Sequence, residues 1–235
     1  MTAELTRRPD GAKRHPWDWY IEEEWVTARL LEFAPIDRDI VMLDPCCGSG
    51  NIVRALRADG REAYGMDLFD RGAPHFLAEH DMLSDQLTIF ESMGPRSIVF
   101  NPPFSYQNGA LVRRLAMRMV LRALDMVTHQ VAALLPLKWL ASAERFELFT
   151  RHTPMGQWVM CERPSMPPGN EIEALGSKAY KRGKVDYVWI VWDKRRLPLL
   201  DHRGTPFAPT YWIPPRPKAT RSPVVVQPAL ELCSA

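Results

Sequence analysis

Short apolar runs alternate with stretches of helical period through the first 140 residues. EEEWVTARLLEF (22–33) predicts a helix: Trp25, Ala28, Leu31 and Ala34 recur at helical spacing, and Glu22, Glu23 and Glu24 sit at the positive end of its dipole. DIVML (39–43) reads as a buried strand. NIVRALRADG (51–60) is a helix closed by Gly60, and REAYGMDL (61–68) is a second strand ending on an acid. AEHDML holds a short third strand, and SDQLTIFES a helix with Ser84 as its cap. SIVFNPPF (97–104) is a fourth strand stopped by two prolines. Asn108 then caps a long helix reaching about Thr128. VAALLPL (131–137) is a strongly apolar strand, residues 144–152 form a helix, and QWVMCERP and DYVWIVWDK are two further strands.

Strands alternating with helices imply an α/β fold with a doubly wound, mainly parallel sheet and right-handed crossovers. Ligands of such sheets sit at the carboxyl ends of the strands, near the switch point. That rule gathers residues 44–50, Asp67, Asp81 and residues 101–104 on one rim. Residues 1–16 are polar and basic and read as a flexible arm. Residues 17–197 form the folded domain, and 198–235 a proline-rich basic tail with no core-building pattern.

Composition narrows the class. Apolar residues make up 46% and charged residues 25%, an ordinary globular balance. Lys plus Arg number 30 against 28 Asp plus Glu, so nucleic-acid binding must rest on local basic patches rather than net charge. The four cysteines and six histidines show no metal-ligand spacing and no disulfide framework. No apolar run reaches membrane-spanning length, and the first residues lack the apolar core of a secretory signal. These features lead us to expect a cytoplasmic protein with no metal and no membrane partner.

The candidate chemistry starts at VMLDPCCGSGNIVRAL, a glycine turn between a strand and a helix. The dinucleotide fingerprint Gly-x-Gly-x-x-Gly is incomplete, because Gly48 and Gly50 are followed by Val53. Asp44 at the strand end suits an ammonium or sulfonium group better than a pyrophosphate. Asp67 can accept the two hydroxyls of a ribose, and Asp81 an exocyclic amine. This set of acids fits S-adenosylmethionine (SAM) better than NAD; the plainer alternative is that they cap turns. Cys46 and Cys47 are small residues packed in the turn. The second signal is Asn101-Pro102-Pro103-Phe104. By itself Asn-Pro-Pro is a common turn. Directly after a strand, however, two prolines with φ fixed near about −65° make a stiff loop. It can offer the Asn101 side-chain oxygen and the Pro102 carbonyl to one planar –NH2, fixed dipoles that act without reorganisation. Phe104 offers a stacking face worth roughly 1–3 kcal/mol.

DPCCGSG followed by NPPF resembles the amino-group methyltransferases of the SAM-dependent class I superfamily, specifically the DNA adenine-N6 type. RPSM…DYVWIVWDK is similar to a block of phage-like members, and the resemblance covers residues 17–195. It implies a Rossmann-like seven-stranded sheet whose one antiparallel strand is DYVWIVW. It implies that Asp44, Gly48 and Gly50 contact the methionine part of SAM, Asp67 the ribose and Asp81 the adenine edge, with Cys46 a further cofactor-binding candidate in the same turn. Asn101, Pro102 and Phe104 would hold the target base, flipped out of DNA at a cost of a few kcal/mol. Met166 stands where the family has Phe. WDWYIEEEW replaces the family's Tyr-x-Thr-Pro element, leaving Tyr20 as a border residue. There is no long insert of the sort that reads DNA sequence, so specificity could come from residues 163–185 or from a partner.

Lesser features have two readings each. Pro103, Lys138, Trp139, Arg163, Lys181 and Arg182 are candidate substrate contacts, Lys and Arg to phosphate. Solvation of the charges and core packing of the tryptophans are the alternatives, and core packing is the default for Trp189 and Trp192. Arg114, Arg118 and Arg122 read as a solvated helix face.

Overall fold

The computed structural model describes residues 14–84, 94, 96–181 and 183–217. The expected helix after Ser84, Arg182, the first part of the basic arm and the tail beyond residue 217 lie outside the described residues.

The elements follow the hydrophobic pattern. Helix α1 (Glu24–Phe33) precedes β1 (Val41–Asp44), α2 (Asn51–Ala58), β2 (Ala63–Asp67), β3 (Phe76–Glu79) and β4 (Arg96–Phe100). A small hairpin, β5 (Tyr106–Gln107) and β6 (Ala110–Leu111), comes before α3 (Leu115–Met126) and β7 (Gln130–Pro136). Then follow α4 (Ala143–Arg151), β8 (Gly156–Met160) and β9 (Tyr187–Asp193). The last strands are β10 (Leu199–Leu200), β11 (Pro206–Phe207) and β12 (Thr210–Ile213).

Eight strands form one sheet in the order β12-β8-β9-β7-β4-β1-β2-β3. All neighbours are parallel except at β9, which runs antiparallel to β7 and β8. The strand order turns back between β1 and β4, which makes their carboxyl ends the switch point.

The period-two alternation of the strands divides their side chains between two cores. Leu43, Ile98, Phe100, Val131, Ala133 and Leu135 pack with Leu115, Met119 and Val120 of α3. Met42, Val99, Ala132, Leu134 and Trp189 pack on the other face with Val26 and Leu30 of α1 and Ile52 and Leu56 of α2. Trp189 and Trp192 are core residues whose indole N–H groups donate to the carbonyls of Val26 and His152 at 3.2 and 2.8 Å. Being covered on both faces, β7 and β9 are apolar at nearly every position and read as continuous runs.

Three expectations need correction. The sheet has an eighth strand: β12 lies in the segment read as tail and pairs with β8 from Thr210 to Ile213. Its prolines flank the strand, and Tyr211 stacks on Trp158 at 4.9 Å. An edge position tolerates neighbouring proline because one side of the strand makes no ladder. Asn108 does not cap α3. With Gly109 it forms the tip of the β5–β6 hairpin, φ +49° and +70°, the Asn-Gly turn that right-twisted strands favour. Finally, residues 14–16 pack against the domain: Arg14 pairs with Asp18 at 2.6 Å and the Pro16 carbonyl accepts from Gly109 N at 2.8 Å.

Among the described residues no helix is long and apolar enough to cross a membrane.

Candidate active site

The carboxyl ends of β1, β2, β3 and β4 open into one cleft, roofed by residues 17–22. Of the residues singled out in the sequence, Tyr20, Asp44, Cys46, Gly48, Asp67, Asp81, Asn101 and Pro103 line it together. Gly50 stands just behind, N-terminal to α2, with φ +80°. Gly48 has φ +52°, and a Cβ there would lie 2.8 Å from the Trp19 indole nitrogen. Both glycines are therefore required, one for its backbone and the other for backbone and space.

The cleft is acidic. Glu22, Asp44, Asp67 and Asp81 line it, with Asp18 beside them but its carboxylate buried against Arg14, and Arg71 supplies the single guanidinium among the lining residues. Asp44 is buried and accepts from Cys46 N at 3.1 Å. Burial pushes its carboxyl well above the usual range, with the charges of Glu22 and Asp67 adding to the effect. Glu22 is buried too, and burial raises its carboxyl against the lowering effect of a hydrogen bond from Asn101. Burial and the neighbouring carboxylates also push the Cys46 and Cys47 thiols up, so both stay protonated and serve packing.

Asp67 is engaged through both carboxylate oxygens. Its Oδ2 accepts from Gly48 N at 2.9 Å, while Oδ1 accepts from Phe69 N at 3.2 Å and Arg71 Nη1 at 2.5 Å. Arg71 in turn lies over the rings of Trp19 and Phe69, 4.4 and 4.9 Å from their centroids. A carboxylate has about four lone-pair positions, so beside these three contacts one remains for a ligand. Asp81 sits at the exposed lip, where its Oδ1 accepts from Leu83 N at 2.9 Å.

Two residues with no signal in the apolar pattern hold the loop after β4. Asp18 Oδ2 accepts from three successive amides, Phe104 N, Ser105 N and Tyr106 N, at 3.1, 2.9 and 2.9 Å. Arg14 completes the cluster with a two-pronged contact at 2.6 and 2.7 Å. The Asp18→Ala variant strands three amides, and charge-assisted bonds are worth about 1.5–3 kcal/mol. We expect it to lose at least about 3 kcal/mol, a melting-point drop of roughly 6–12 °C for a chain of this size. A thermal melt within about 1 °C of wild type would refute that role.

Glu22 is the other. Its Oε2 accepts from Asn101 Nδ2 at 2.7 Å, and its backbone carbonyl accepts from Asn51 Nδ2 at 2.6 Å. Met166 Sδ lies 4.0 Å from the same Asn101 nitrogen. Asn101 Oδ1 is buried and has no hydrogen-bond partner among the described residues. The same holds for the Trp19 indole N–H. Glu22 belongs to the acid run in front of α1, and periodicity assigns such a run to the helix dipole. The helix begins only at Glu24, which leaves Glu22 free to turn inward.

The remaining expected residues are placed elsewhere. Pro102 is buried, and Phe104 is half-buried between the two cores with its ring centroid 6.4 Å from that of Tyr187. Trp139 is a core residue packed on Phe149, with Arg145 over its ring at 4.4 Å, and it does not line the cleft. Its short 3-10 turn points it inward while Lys138 is exposed. Arg163 is paired with Asp186 at 2.6 Å, and Lys181 is exposed on the loop before β9. Arg114 pairs with Glu144, and Arg122 bonds the carbonyls of Met82 and Ser84, so only Arg118 of that stripe fits a plain solvated face.

No family model matches the chain, and neither does any curated protein. Solved structures do. A Listeria monocytogenes protein described as a class I S-adenosylmethionine-dependent methyltransferase is 14% identical with a TM-score of 0.50, covering 80% of this chain. The alignment spans 64% of the length of that protein. The 23S rRNA methyltransferase ErmE is 16% identical at TM-score 0.48, covering 78% of this chain and 73% of its own. A SAM-dependent methyltransferase from Archaeoglobus fulgidus is 14% identical at 0.46, covering 73% and 94%. Together with the strand order and the single reversed strand β9, the likeness to the Listeria protein gives this chain a Rossmann-like class I methyltransferase fold, extended by one edge strand.

Proposed function

We propose that this protein transfers a methyl group from SAM to an exocyclic amino group, with adenine N6 of DNA as the leading target. The observation that carries the reading is the state of Asn101: its amide nitrogen is held by Glu22, and its oxygen is buried at the cleft without a partner among the described residues.

The residues present fit the cofactor. A cleft lined by Glu22, Asp44, Asp67 and Asp81 against one guanidinium disfavours a pyrophosphate and suits a cation, whose arrival favours the ionised carboxyls, which counts against NAD and for a ligand with ammonium and sulfonium charges. Asp44 and the turn at Gly48 would hold the methionine end, Asp67 the ribose hydroxyls and Asp81 the adenine amine. Tyr20 and Trp19 border that space, and the unpaired indole N–H is a donor for it. The fold shared with a protein described as a SAM-dependent methyltransferase supports the same choice.

Bound there, SAM would supply an electrophilic methyl group to the amine lone pair, with S-adenosylhomocysteine as the leaving group and the amine proton passing to solvent. The chain's part is placement. Asn101 Oδ1 and the Pro102 carbonyl accept the two amine hydrogens and aim the nitrogen lone pair, which ring conjugation otherwise dulls. Asp18 fixes the loop that follows by its three amide contacts, so the acceptors do not have to reorganise. Met166, whose Sδ lies 4.0 Å from Asn101 Nδ2, would offer apolar surface beside the base. Exposed Lys138, Lys178 and Lys181 provide phosphate contacts on nucleic acid.

The test uses SAM with a deuterated methyl group, offered with double-stranded DNA, single-stranded DNA and RNA separately, followed by digestion to nucleosides and mass spectrometry. Labelled N6-methyldeoxyadenosine is the expected product. Label on cytosine N4 or on RNA would move the target while keeping the chemistry. No labelled nucleoside from any polymer, with SAM binding confirmed in the same preparation, would overturn a stand-alone nucleic-acid enzyme and direct attention to a protein amide or a missing specificity partner.

A further inference from the structure

We infer that Glu22 is the positioning residue of the transfer site: by accepting from Asn101 Nδ2 it fixes which way the Asn101 amide faces and leaves Oδ1 for the substrate amine. This rests on the proposed reading of the site.

The Asn101 side chain carries one acceptor and one –NH2, and an amide free to turn by 180° would present either of them to the base. Only the acceptor attracts an amine hydrogen; the –NH2 would oppose it. An ionised carboxylate can only accept, so the 2.7 Å contact from Nδ2 to Glu22 Oε2 selects the productive face. Glu22 is itself held by Asn51, which donates to its backbone carbonyl, and by the bridge between Tyr20 and Pro168 just ahead of it. The groups that face its charge are Asp44 across the cleft, Arg54 of α2 and the Tyr180 hydroxyl from the segment before β9. A protonated Glu22 could instead donate to Asn101 Oδ1 and occupy the acceptor. Burial raises the Glu22 carboxyl, so that exchange falls above the ordinary carboxylate range. Activity is therefore expected to fall on the acid side at a higher pH than a free glutamate would dictate.

The full chain carrying Glu22→Gln tests this. Gln is isosteric and its –NH2 can donate to Asn101 Oδ1, so the amide is no longer held one way. The expected result is a fall in kcat of about 10²-fold, the scale of a small misplacement at a reacting centre, with KM for SAM near wild type and the acid limb of the pH profile gone. A second readout needs no turnover. In side-chain amide NMR spectra, with Asn101→Ser giving the assignment, the Asn101 –NH2 signals should titrate with pH in the wild type and stop titrating in Glu22→Gln. Signals indifferent to both pH and the substitution would overturn the inference, as would an unchanged kcat in a variant of a working enzyme. Wild-type protein that transfers no methyl group, yet shows the coupled titration, would count against the proposed reaction and leave the pairing of Glu22 with Asn101 standing.

Discussion

Asn101→Ala is expected to lower kcat for methyl transfer by about 10²–10³-fold, the range seen when one preorganised dipole is removed from a transition-state site, while SAM binding measured by calorimetry stays near wild type. The separation follows from geometry. Asn101 bonds Glu22 and borders Met166, and no acid assigned to the cofactor depends on its side chain. The substitution also leaves a buried carboxyl without its donor, which costs about 1–3 kcal/mol, so a modest fall in melting temperature should accompany it. Retained biological activity in a folded variant would favour a different reading, a nucleic-acid-binding protein that keeps this fold without catalysis. Loss of SAM binding together with activity would instead mean that Asn101 belongs to the cofactor site.

Asp44→Asn should separate stability from binding. Burial first, then the charge of Glu22, raises the Asp44 carboxyl, so the folded protein holds its proton where the unfolded chain has released it. In that window, from the ordinary carboxylate range up to the raised one, the native state binds more protons and stability falls as pH rises. Asn keeps the acceptor for Cys46 N and removes the charge. The free variant should therefore melt higher than wild type at neutral pH, by about 2–4 °C for each kcal/mol recovered, and the gap should close at acid pH. SAM affinity should move the other way. Removing one partner of a buried charge pair costs about 2 kcal/mol or more, which is about 30-fold or more in Kd. In the wild type the arriving cation is expected to expel the proton that the raised Asp44 carboxyl holds. Binding should thus tighten as pH rises through the same window, and calorimetry in buffers of different ionisation heat should show proton release. A variant that melts lower than wild type at neutral pH, or binds SAM equally well, would refute the account.

How far the sequence reaches is clearest at particular residues. Asp44, Gly48 and Asp67 were legible because each ends or follows a strong apolar strand, and a parallel sheet brings strand ends together whatever the loops do. The same reasoning placed Asn101 beside them. Asp18 and Glu22 were not legible. Both lie in WDWYIEEEW, where acids next to aromatics match an exposed helix start as well as a buried roof. Only the packing of residues 17–22 across the cleft turns their carboxylates toward the 104–106 amides and toward Asn101. Trp139 shows the converse. Its position after an apolar strand suggested the rim, but a 3-10 turn there rotates it into the core.

β12 belongs to the same lesson. An isolated strand of four residues among prolines has too little apolar periodicity to be read locally, and it exists because β8 offers an open edge. What the sequence by itself determined is the alternation of buried strands and amphipathic helices, the glycine turn and the stiff loop of Asn101, because these rest on local sterics and on burial with a fixed period. The tertiary structure alone decided which acids turn inward, how Arg71 occupies Asp67 and which face Asn101 presents. Those outcomes depend on partners far apart in the chain, 79 residues in the case of Glu22 and Asn101, and in a low-dielectric cleft each polar group takes its orientation from the partner it finds there.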